Sequence, residues 1–495
     1  MEMLTYKLLE EQGYTGYLLK DAPERVLQFG EGNFLRAFVD YFIDEMNEKC
    51  GFNGKVVLTQ PSSPRQNTRF AKQDGLYTLF LRGRENGETV ERRRIISCVS
   101  RCLNINLSFQ DYLDCAKNPD LRFIASNTTE AGIVFDPACK ADDAPPSSFP
   151  AKLTVFLHER WKLGLKGFII LSCELIDHNG AELKRCVERY IEIWGLEKEF
   201  AEWVDKENIF CSTLVDRIVT GYPRDSAPEL WEELGYEDDC LDTGEVFGAW
   251  VIEGPQSIKD ELPFEKAGLP IQVVDDVAPY KQRKVRILNG AHTTFVLGAY
   301  LAGQNIVREC MQDEVIRNFM NATLFDEIIP TLDLPKEDVM SFAAAVIDRF
   351  NNPYINHSLL DISLNSTSKW KARVLPSLTE YVKRMGKLPP HIVFSLAAYI
   401  AFYHNAKEQS DGDGCLVGKR GDDYYNVKDD SWVLDFFYEH RDDDAALITH
   451  AVVNNERMWD GALAEIPGFE AAVLKALEAI EAKGAYEAMR EVADA

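Results

Sequence analysis

Apolar and polar positions in the first half of the chain follow two alternating patterns. Residues 26–29 form a short apolar run that ends at Gly30, which is typical of a buried strand. In residues 33–47, apolar side chains recur at every fourth position, at Phe34, Phe38, Phe42 and Met46. This spacing places them along one face of a helix. The sequence therefore predicts a strand followed directly by an amphipathic helix.

Further apolar runs at 55–59, 121–126 and 167–172 predict additional buried strands, with helical stretches between them. Strands that alternate with helices generally pair in parallel and are joined by crossover helices. We therefore predict an α/β fold whose N-terminal domain, residues 1–283, is a Rossmann-like domain with a parallel sheet.

The pattern changes after residue 284, where helical periodicity replaces the strand-like runs. Helices are predicted at 285–302, 336–349, 390–405, 444–455 and 469–482. We therefore expect a mainly α-helical C-terminal domain, residues 284–495, that carries substrate-binding and catalytic groups.

The chain is strongly acidic, with 54 Lys and Arg residues against 80 Asp and Glu residues and a formal net charge of −26. This charge disfavours nucleic acid and anionic lipid as partners, and no apolar run reaches the roughly 18–20 residues needed to cross a bilayer. The eleven cysteines lack zinc-site spacing, and the N-terminus lacks a signal-peptide pattern. We expect a cytoplasmic monomer or small homo-oligomer that acts on a small molecule, with no nucleic-acid or membrane partner.

The turn between the first strand and the first helix has the composition of a dinucleotide-binding loop. Gly30 and Gly32 would let a pyrophosphate approach the backbone, where Asn33 and Phe34 open the helix. Arg36 is a further candidate for contact with the pyrophosphate. The third glycine of the usual fingerprint is absent, so a plain tight turn, with Arg36 on the helix surface, is the alternative.

Two later segments bear on the cofactor. The second strand ends in Thr59-Gln60-Pro61, which offers neither the acid that binds the adenosine ribose of NAD nor a clear arginine for NADP. From the residues alone, this choice stays open. Asn127, Thr128 and Glu130 follow another strand, and Glu130 could either shape a nicotinamide pocket or cap a helix.

Lys284, Asn289 and His292 are polar groups on an otherwise apolar helix. At about 100° per residue they share one face with four apolar side chains, those of Val285, Leu288, Phe295 and Val296. A buried lysine is costly without a partner, so this face suggests a hydrated cleft. The alternative is an exposed Lys284 at the helix start and a hydrogen-bonded His292 in the core.

Chemistry favours the cleft. Reduction of a ketone needs a proton donor near the carbonyl oxygen, and lysines do this work where desolvation lowers their pKa toward the working pH. Asparagine amides can hold a developing alkoxide without titrating. A zinc dehydrogenase would need a set of Cys and His ligands, and the eight dispersed histidines do not suggest one. We therefore predict metal-independent chemistry.

Four segments together form a recognisable set. They are Gly30-x-Gly32-x-Phe34-x-Arg36-Ala37, Ser172-Cys-Glu-Leu-Ile-Asp-His-Asn179-Gly180, Leu214-Val-Asp216-Arg217-Ile218 and Lys284-x4-Asn289-x2-His292. In this order, over nearly the whole chain, they resemble the polyol-specific long-chain dehydrogenases, the mannitol dehydrogenase family. The resemblance implies a Rossmann-like domain, then a helical domain with the active site between them, and hydride transfer from NADH to a keto group.

The resemblance also implies roles for individual residues. Lys284 would be the general acid/base, and Asn179 and Asn289 would polarise the carbonyl oxygen. His292 would bind a neighbouring hydroxyl group, and Asp216 would contact the substrate or tune the lysine.

The chain departs from the family pattern at two places. Glu174-Leu175 stands where mannitol-type members have an Asp-Asn pair, and Thr220 stands where Pro or Ser is usual. Within the family, segments 58–61, 126–132, 172–176 and 361–369 are most similar to members that reduce hexulosonates.

A sugar acid carries a carboxylate, which needs a fixed cation in so acidic a protein. We prefer Lys369 and Arg373 as its anchors because, in a helix, residues four apart lie on one face. An ordinary solvated basic turn is the alternative. The alternatives for the whole protein are a fructuronate reductase, a mannitol-type dehydrogenase, or a catalytically silent protein that binds a sugar acid or nucleotide.

Overall fold

A computed structural model describes residues 1–410 and 414–493. The chain divides into two compact units, Met1–Gly83 with Val90–Ala278 and Arg84–Thr89 with Pro279–Ala495. The division at Ala278 lies a few residues before the boundary expected from the sequence, and the assignment of Arg84–Thr89 to the second unit was not expected.

Eleven strands belong mainly to the first unit. They are β1 (Glu24–Phe29), β2 (Lys55–Gln60), β3 (Tyr77–Glu85), β4 (Glu88–Ile96), β5 (Val99–Asn104), β6 (Phe123–Ser126), β7 (Ile169–Ser172), β8 (Ile209–Asp216), β9 (Asp242–Glu245), β10 (Ala249–Glu253) and β11 (Ile271–Val274). Eight of them form one sheet in the order β11-β10-β8-β7-β6-β1-β2-β5, and the other three form a small sheet in the order β4-β3-β9.

The six central strands of the large sheet, β5-β2-β1-β6-β7-β8, are all parallel. When these six strands are numbered by their order along the chain, their arrangement in the sheet is that of a doubly wound dinucleotide-binding fold. Strand β10 then runs antiparallel to β8, and β11 runs parallel to β10. The predicted Rossmann-like fold is therefore confirmed, with a two-strand extension that the sequence did not predict.

Alternate residues of β1 point to opposite faces of this sheet, as strand geometry requires. Val26 belongs to one buried apolar cluster, and Leu27 and Phe29 belong to another. The continuous helix 33–50 covers the first face through three fully buried side chains, Phe38, Phe42 and Met46. Helices Phe149–Lys162 and Asn179–Ile193 cover the second face. Helix layers on both faces explain why the central strands are apolar throughout.

The remaining helices of the first unit are short or peripheral. They are Tyr6–Glu11, Arg69–Lys72, Phe109–Asp114, Cys115–Lys117, Lys198–Glu207, Ala227–Leu234 and Ile258–Glu261. Helix 33–50 itself consists of Asn33–Leu35, a π-helical turn at Arg36–Asp40, and Tyr41–Cys50.

The second unit is mainly helical, as predicted. Its helices are Ala278–Lys284, Val285–Gly290, Ala291–Leu301, Val307–Gln312, Glu314–Ala322, Thr323–Ile328, Ile329–Thr331, Lys336–Phe350, Leu359–Ser363, Ser366–Arg373, Leu375–Met385, Pro390–His404, Ser431–Glu439, Ala445–Val453, Glu456–Trp459, Phe469–Lys483 and Ala485–Ala493. The five predicted helices are present to within two residues at most ends. A small antiparallel sheet of β12 (Ala406–Gln409), β13 (Leu416–Arg420) and β14 (Asp423–Val427) was not predicted.

Two helices form the centre of this unit. Ala291–Leu301 packs against Pro390–His404, and both are buried along nearly their whole length. Such all-round burial explains why both segments are almost continuously apolar. Across residues 1–410 and 414–493, no helix is both long enough and apolar enough to span a membrane.

Candidate functional site

The carboxyl ends of the parallel strands carry many of the residues that the sequence singled out. Gly30 follows β1, Asn127 follows β6, Glu174 lies just beyond β7, and Asp216 ends β8. Parallel strands end at the same edge of a sheet, and doubly wound folds bind their ligands there. The first unit therefore gathers these residues along one edge.

The loop between β1 and helix 33–50 is open to an anion. Gly30 has φ of +119°, and an added Cβ would lie 3.2 Å from Leu35 Cδ1 and 3.4 Å from the Asn127 backbone oxygen. Gly32 begins the helix without a side-chain cap, and both Gly32 and Asn33 are exposed, with Phe34 half-buried. Uncapped N–H groups at a helix start attract phosphate. These residues fit the pyrophosphate of a dinucleotide.

Arg36 has a different position from the one expected. Its side chain is only 3% exposed. The guanidinium donates to the backbone oxygens of Glu31 and Cys240 and to Asn33 Oδ1, and it lies 3.6 Å from the Asp242 carboxylate. With these acceptors from its own chain, Arg36 holds the glycine loop in place. The expectation that it contacts the pyrophosphate directly is corrected to this supporting role.

Two buried acids lie beside Arg36. Burial raises the pKa of Asp40 to about 7, although the Arg36 charge and a hydrogen bond from Tyr77 oppose the shift. Burial also raises the pKa of Asp242 to about 7, again against Arg36. Protonation of these acids is therefore coupled to folding of the protein.

We expect the Asp40→Asn variant to have a changed pH dependence of stability. A folded-state pKa of about 7, against an ordinary 3.8, means that the stabilisation is complete below pH 3.8 and is lost as pH rises to about 7. Relative to the variant, the wild-type free energy of unfolding should fall by about 2 kcal/mol between pH 5.5 and pH 7. Urea unfolding at several pH values measures this difference.

Asp114→Asn is the control for that experiment, because Asp114 is an exposed acid whose pKa is lowered by a hydrogen bond from Lys117. Its removal should leave the pH dependence above pH 5 unchanged. A flat difference between wild type and Asp40→Asn over the same range would show that Asp40 does not titrate there.

The loop after β6 is held by a buried acid that the sequence did not identify as functional. The Thr128 N–H and hydroxyl groups each donate to Glu174 Oε1 at 3.0 Å, and Ser126 Oγ donates to Oε2 at 3.1 Å. Burial raises the pKa of Glu174, while these hydrogen bonds act to lower it. Asn127 lies half-buried in this loop, and Glu130 lies exposed just beyond it. Glu174 therefore positions the Asn127–Thr128 segment.

Asn179 does not have an amide available for a substrate. The residue is 1% exposed, and its Oδ1 accepts from the N–H groups of Gly180 and Thr213. Its Nδ2 donates to the backbone oxygens of Glu174 and Thr213. Every hydrogen-bonding position of the Asn179 amide is thus used by backbone groups of the first unit. The expectation that Asn179 polarises a carbonyl is corrected to a structural role.

In the second unit, helix 278–301 contains a π-helical turn at Val285–Gly290. A wheel with a constant 100° per residue therefore does not apply across this turn. Leu288, Phe295 and Val296 are buried, and the Phe295 ring centroid lies 6.1 Å from that of His292. Within residues 284–301, the half-buried positions include all three predicted polar residues, Lys284, Asn289 and His292, together with Val285. π-Turns of this kind recur at functional sites.

Two of these side chains have groups that remain available. In the part of the chain that the structure describes, nothing hydrogen-bonds the Asn289 amide or the buried His292 Nε2. The His292 ring stacks on Phe350 at 4.1 Å and meets the His357 ring edge-on at 5.3 Å. An unpartnered buried nitrogen is costly, so it indicates a place for a ligand hydroxyl group.

Several basic side chains lie near His292. Burial lowers its pKa well below 6.5, and His357, Arg349, Arg373 and Lys369 lower it further. The imidazole is therefore neutral near pH 7 and can either donate or accept a hydrogen bond.

Lys369 and Arg373 lie on helix Ser366–Arg373, as predicted. Lys369 Nζ donates to the Ile362 backbone oxygen at 2.8 Å, and Arg373 Nη1 donates weakly to Thr293 Oγ1 at 3.5 Å. Both side chains are half-buried, and burial lowers the pKa of each. Among residues 1–410 and 414–493, neither has a carboxylate within ion-pair distance. Two half-buried cations without an acid create a site for an anion.

The neighbouring Lys371 differs, because its Nζ forms an ion pair with Asp460 at 2.8 Å. Gly290 explains how Arg373 comes close to helix 278–301, since an added Cβ would lie 3.2 Å from the Arg373 backbone oxygen. Arg349 and His357 were missed in the sequence because neither belongs to a spaced motif.

Among the residues described, no group of three or more His, Cys, Asp or Glu side chains is arranged to hold a metal ion.

Both units match domains of known proteins. Residues 24–266 match the mannitol dehydrogenase Rossmann domain, and residues 276–481 match the mannitol dehydrogenase C-terminal domain. An altronate oxidoreductase from Shigella flexneri is 46% identical over 479 residues, 94% of this chain and 96% of that protein. One from Yersinia enterocolitica is 44% identical over 469 residues, 92% of this chain and 94% of that protein.

Solved structures agree on the fold. A D-sorbitol dehydrogenase has a TM-score of 0.81 at 21% identity, covering 98% of this chain and 100% of its own. The mannitol 2-dehydrogenase of Pseudomonas fluorescens, in complex with NAD and D-mannitol, has a TM-score of 0.66 at 23% identity, covering 99% of both chains. With both domain matches and relatives above 40% identity over nearly the full length, this chain belongs to the mannitol dehydrogenase family.

Proposed function

We propose that this protein is an NAD-dependent oxidoreductase that interconverts D-tagaturonate and D-altronate. The altronate oxidoreductases at 44–46% identity support the reaction. The glycine loop at Gly30 and Gly32 and the family membership support NAD, which is bound by the P. fluorescens mannitol 2-dehydrogenase. The single observation that carries the choice of a sugar acid is the pair Lys369 and Arg373, two half-buried cations without an acid.

The chain's own groups would divide the work as follows. Lys369 and Arg373 would bind the substrate carboxylate, and the neutral His292 Nε2 would bind a hydroxyl group. The Asn289 amide would hold the carbonyl oxygen, where negative charge develops during reduction. Lys284 would give that oxygen its proton, and would take it back in the oxidation of altronate.

A bound nicotinamide would supply the hydride that reduces the keto carbon to a carbinol carbon. Lys284 then contributes only the proton, so hydride and proton together convert the C=O group to CH–OH. The residues of the first unit would hold the cofactor: Gly30, Gly32, Asn33 and Phe34 at the pyrophosphate, and Asn127 and Thr128, supported by Glu174, near the nicotinamide. Asp216, at the end of β8, would lie close to the reacting groups. Glu130 remains a candidate for the nicotinamide pocket.

A comparison of substrates tests this proposal. Oxidation of NADH, followed by absorbance, should be fastest with tagaturonate, with kcat/KM at least about tenfold above fructose, because fructose has no carboxylate to reach the cations. A higher kcat/KM with fructuronate than with tagaturonate would favour a fructuronate reductase instead. Activity on fructose equal to or above that on tagaturonate would remove the carboxylate argument. Binding of NADH without turnover of any of the three would favour a catalytically silent protein.

A further inference from the structure

The end of β2 is the place where the adenosine ribose binds in doubly wound folds, and the sequence supplies no acid there. The structure brings one from another segment. Gln60, the last residue of β2, donates from Nε2 to Glu31 Oε1 at 2.9 Å. Glu31 stands between the two glycines of the loop after β1. Its carboxylate therefore lies at the carboxyl end of β2.

The position of this carboxylate depends on its hydrogen bond from Gln60 and on how the Glu31 backbone is held. Gln60 is 4% exposed, and its Oε1 accepts from the Asn67 N–H at 2.7 Å, so the amide cannot turn away. Arg36 Nε donates to the backbone oxygen of Glu31 at 3.2 Å. Gly30 allows the turn that precedes Glu31, with φ of +119°. The acid is therefore held by a buried side chain at the end of β2.

The carboxylate also keeps its capacity to accept hydrogen bonds. Glu31 is half-buried, and among the described residues no cation lies within ion-pair distance of it and no donor reaches its Oε2. A carboxylate in this state accepts a ribose hydroxyl well and repels a phosphate.

We propose that Glu31 selects NAD over NADP, by accepting from the ribose 2′-hydroxyl group and by repelling a 2′-phosphate. This inference rests on the proposed function, which makes a nicotinamide dinucleotide the cofactor. The acid expected at the end of the second strand is thus supplied by the glycine loop and positioned by Gln60.

Two arginines in the segment after β2 are the competing candidates, because an arginine there would bind a 2′-phosphate and favour NADP. Arg69 is held by its own chain, donating to Asn67 Oδ1 at 3.2 Å and to the Asp239 backbone oxygen at 3.3 Å. Arg65 is exposed, and its guanidinium has no acceptor within the described part of the chain. If Arg65 reached a 2′-phosphate, the protein would bind NADPH in spite of Glu31.

Binding of NADH and of NADPH, measured by nicotinamide fluorescence in the absence of sugar, tests the proposal. Wild type should bind NADH about a hundredfold more tightly than NADPH. The isosteric Glu31→Gln variant should bind NADPH at least about tenfold more tightly than wild type and NADH several-fold more weakly. The control Glu207→Gln removes the same charge just before β8, at the amino end of that strand and away from the glycine loop, and should change neither Kd.

The outcomes distinguish a failure of Glu31 to select the cofactor from a failure of the proposed function. If wild type binds NADH and Glu31→Gln leaves the ratio of the two Kd values within about twofold, Glu31 does not select the cofactor and the proposed function stands. If wild type prefers NADPH and Arg65→Ala abolishes that preference, Arg65 makes the choice instead. If wild type binds neither nucleotide, the proposed function fails, and this inference fails with it.

Discussion

The kcat of the Lys284→Met variant for reduction of tagaturonate is expected to be about 10²–10⁴-fold lower than that of wild type, because general acid/base catalysis by one side chain typically accelerates a reaction by this factor. The proton must reach the carbonyl oxygen as charge develops there, and without Lys284 the donor would be water. Binding of NADH, measured by fluorescence, should be unchanged, since none of the cofactor residues is altered. The loss should therefore fall on kcat rather than on the Kd for NADH.

Two further variants make the result specific. Lys284→Arg keeps the positive charge, but a guanidinium does not release a proton near neutral pH, so its kcat should fall nearly as far. Lys281→Met removes an exposed lysine one turn earlier in the same helix and should keep wild-type turnover. Turnover by Lys284→Met within about tenfold of wild type would show that another group donates the proton.

Much of the architecture could be predicted because it follows from local patterns. The apolar run at 26–29 and the four-residue spacing of Phe34, Phe38, Phe42 and Met46 each indicate burial directly, and the structure confirms both except that Phe34 is only half-buried. The small sheet β12–β14 could not be predicted in this way. Its strands are short and largely polar, so they depend on neighbours distant in sequence.

The polar face of helix 278–301 was predicted with the correct residues but an incorrect geometry. The sequence identified Lys284, Asn289 and His292, yet a regular wheel grouped them with Leu288 and Phe295. The π-turn at Val285–Gly290 changes the angle between the residues before and after it, so the angles of the wheel do not hold across it, although the Phe295 ring still lies 6.1 Å from that of His292. Such a turn depends on tertiary packing, and residue periodicity does not reveal it.

Roles that depend on hydrogen-bond partners were the least predictable. Asn179 and Arg36 both stand in matching motifs, but their polar groups are used by backbone atoms of distant segments. Conversely, Glu174 and Glu31 acquire their positions from Thr128 and Gln60, and no spacing in the sequence indicates either pair. A motif indicates which residue types are present, whereas only the fold determines which of their groups remain available.

The Arg373→Met variant is expected to raise KM for tagaturonate about 30-fold to 1000-fold, since removal of one partner from a partly buried charged contact costs about 2–4 kcal/mol. The carboxylate is bound equally before and during hydride transfer, so kcat should change little. Fructose has no carboxylate, and its KM should stay near the wild-type value. Steady-state kinetics with both substrates therefore separate loss of an anchor from damage to the site.

The neighbouring lysines supply both a partner and a control. Lys369→Met should also raise KM for the sugar acid, but the two effects should not add, because Arg373 lowers the pKa of Lys369 and the two cations repel each other. Lys371→Met removes a charge from the same helix that is paired with Asp460, and should leave KM unchanged. If Arg373→Met impaired fructose and tagaturonate equally, Arg373 would act by supporting the helix at Thr293, and the carboxylate would have to bind elsewhere.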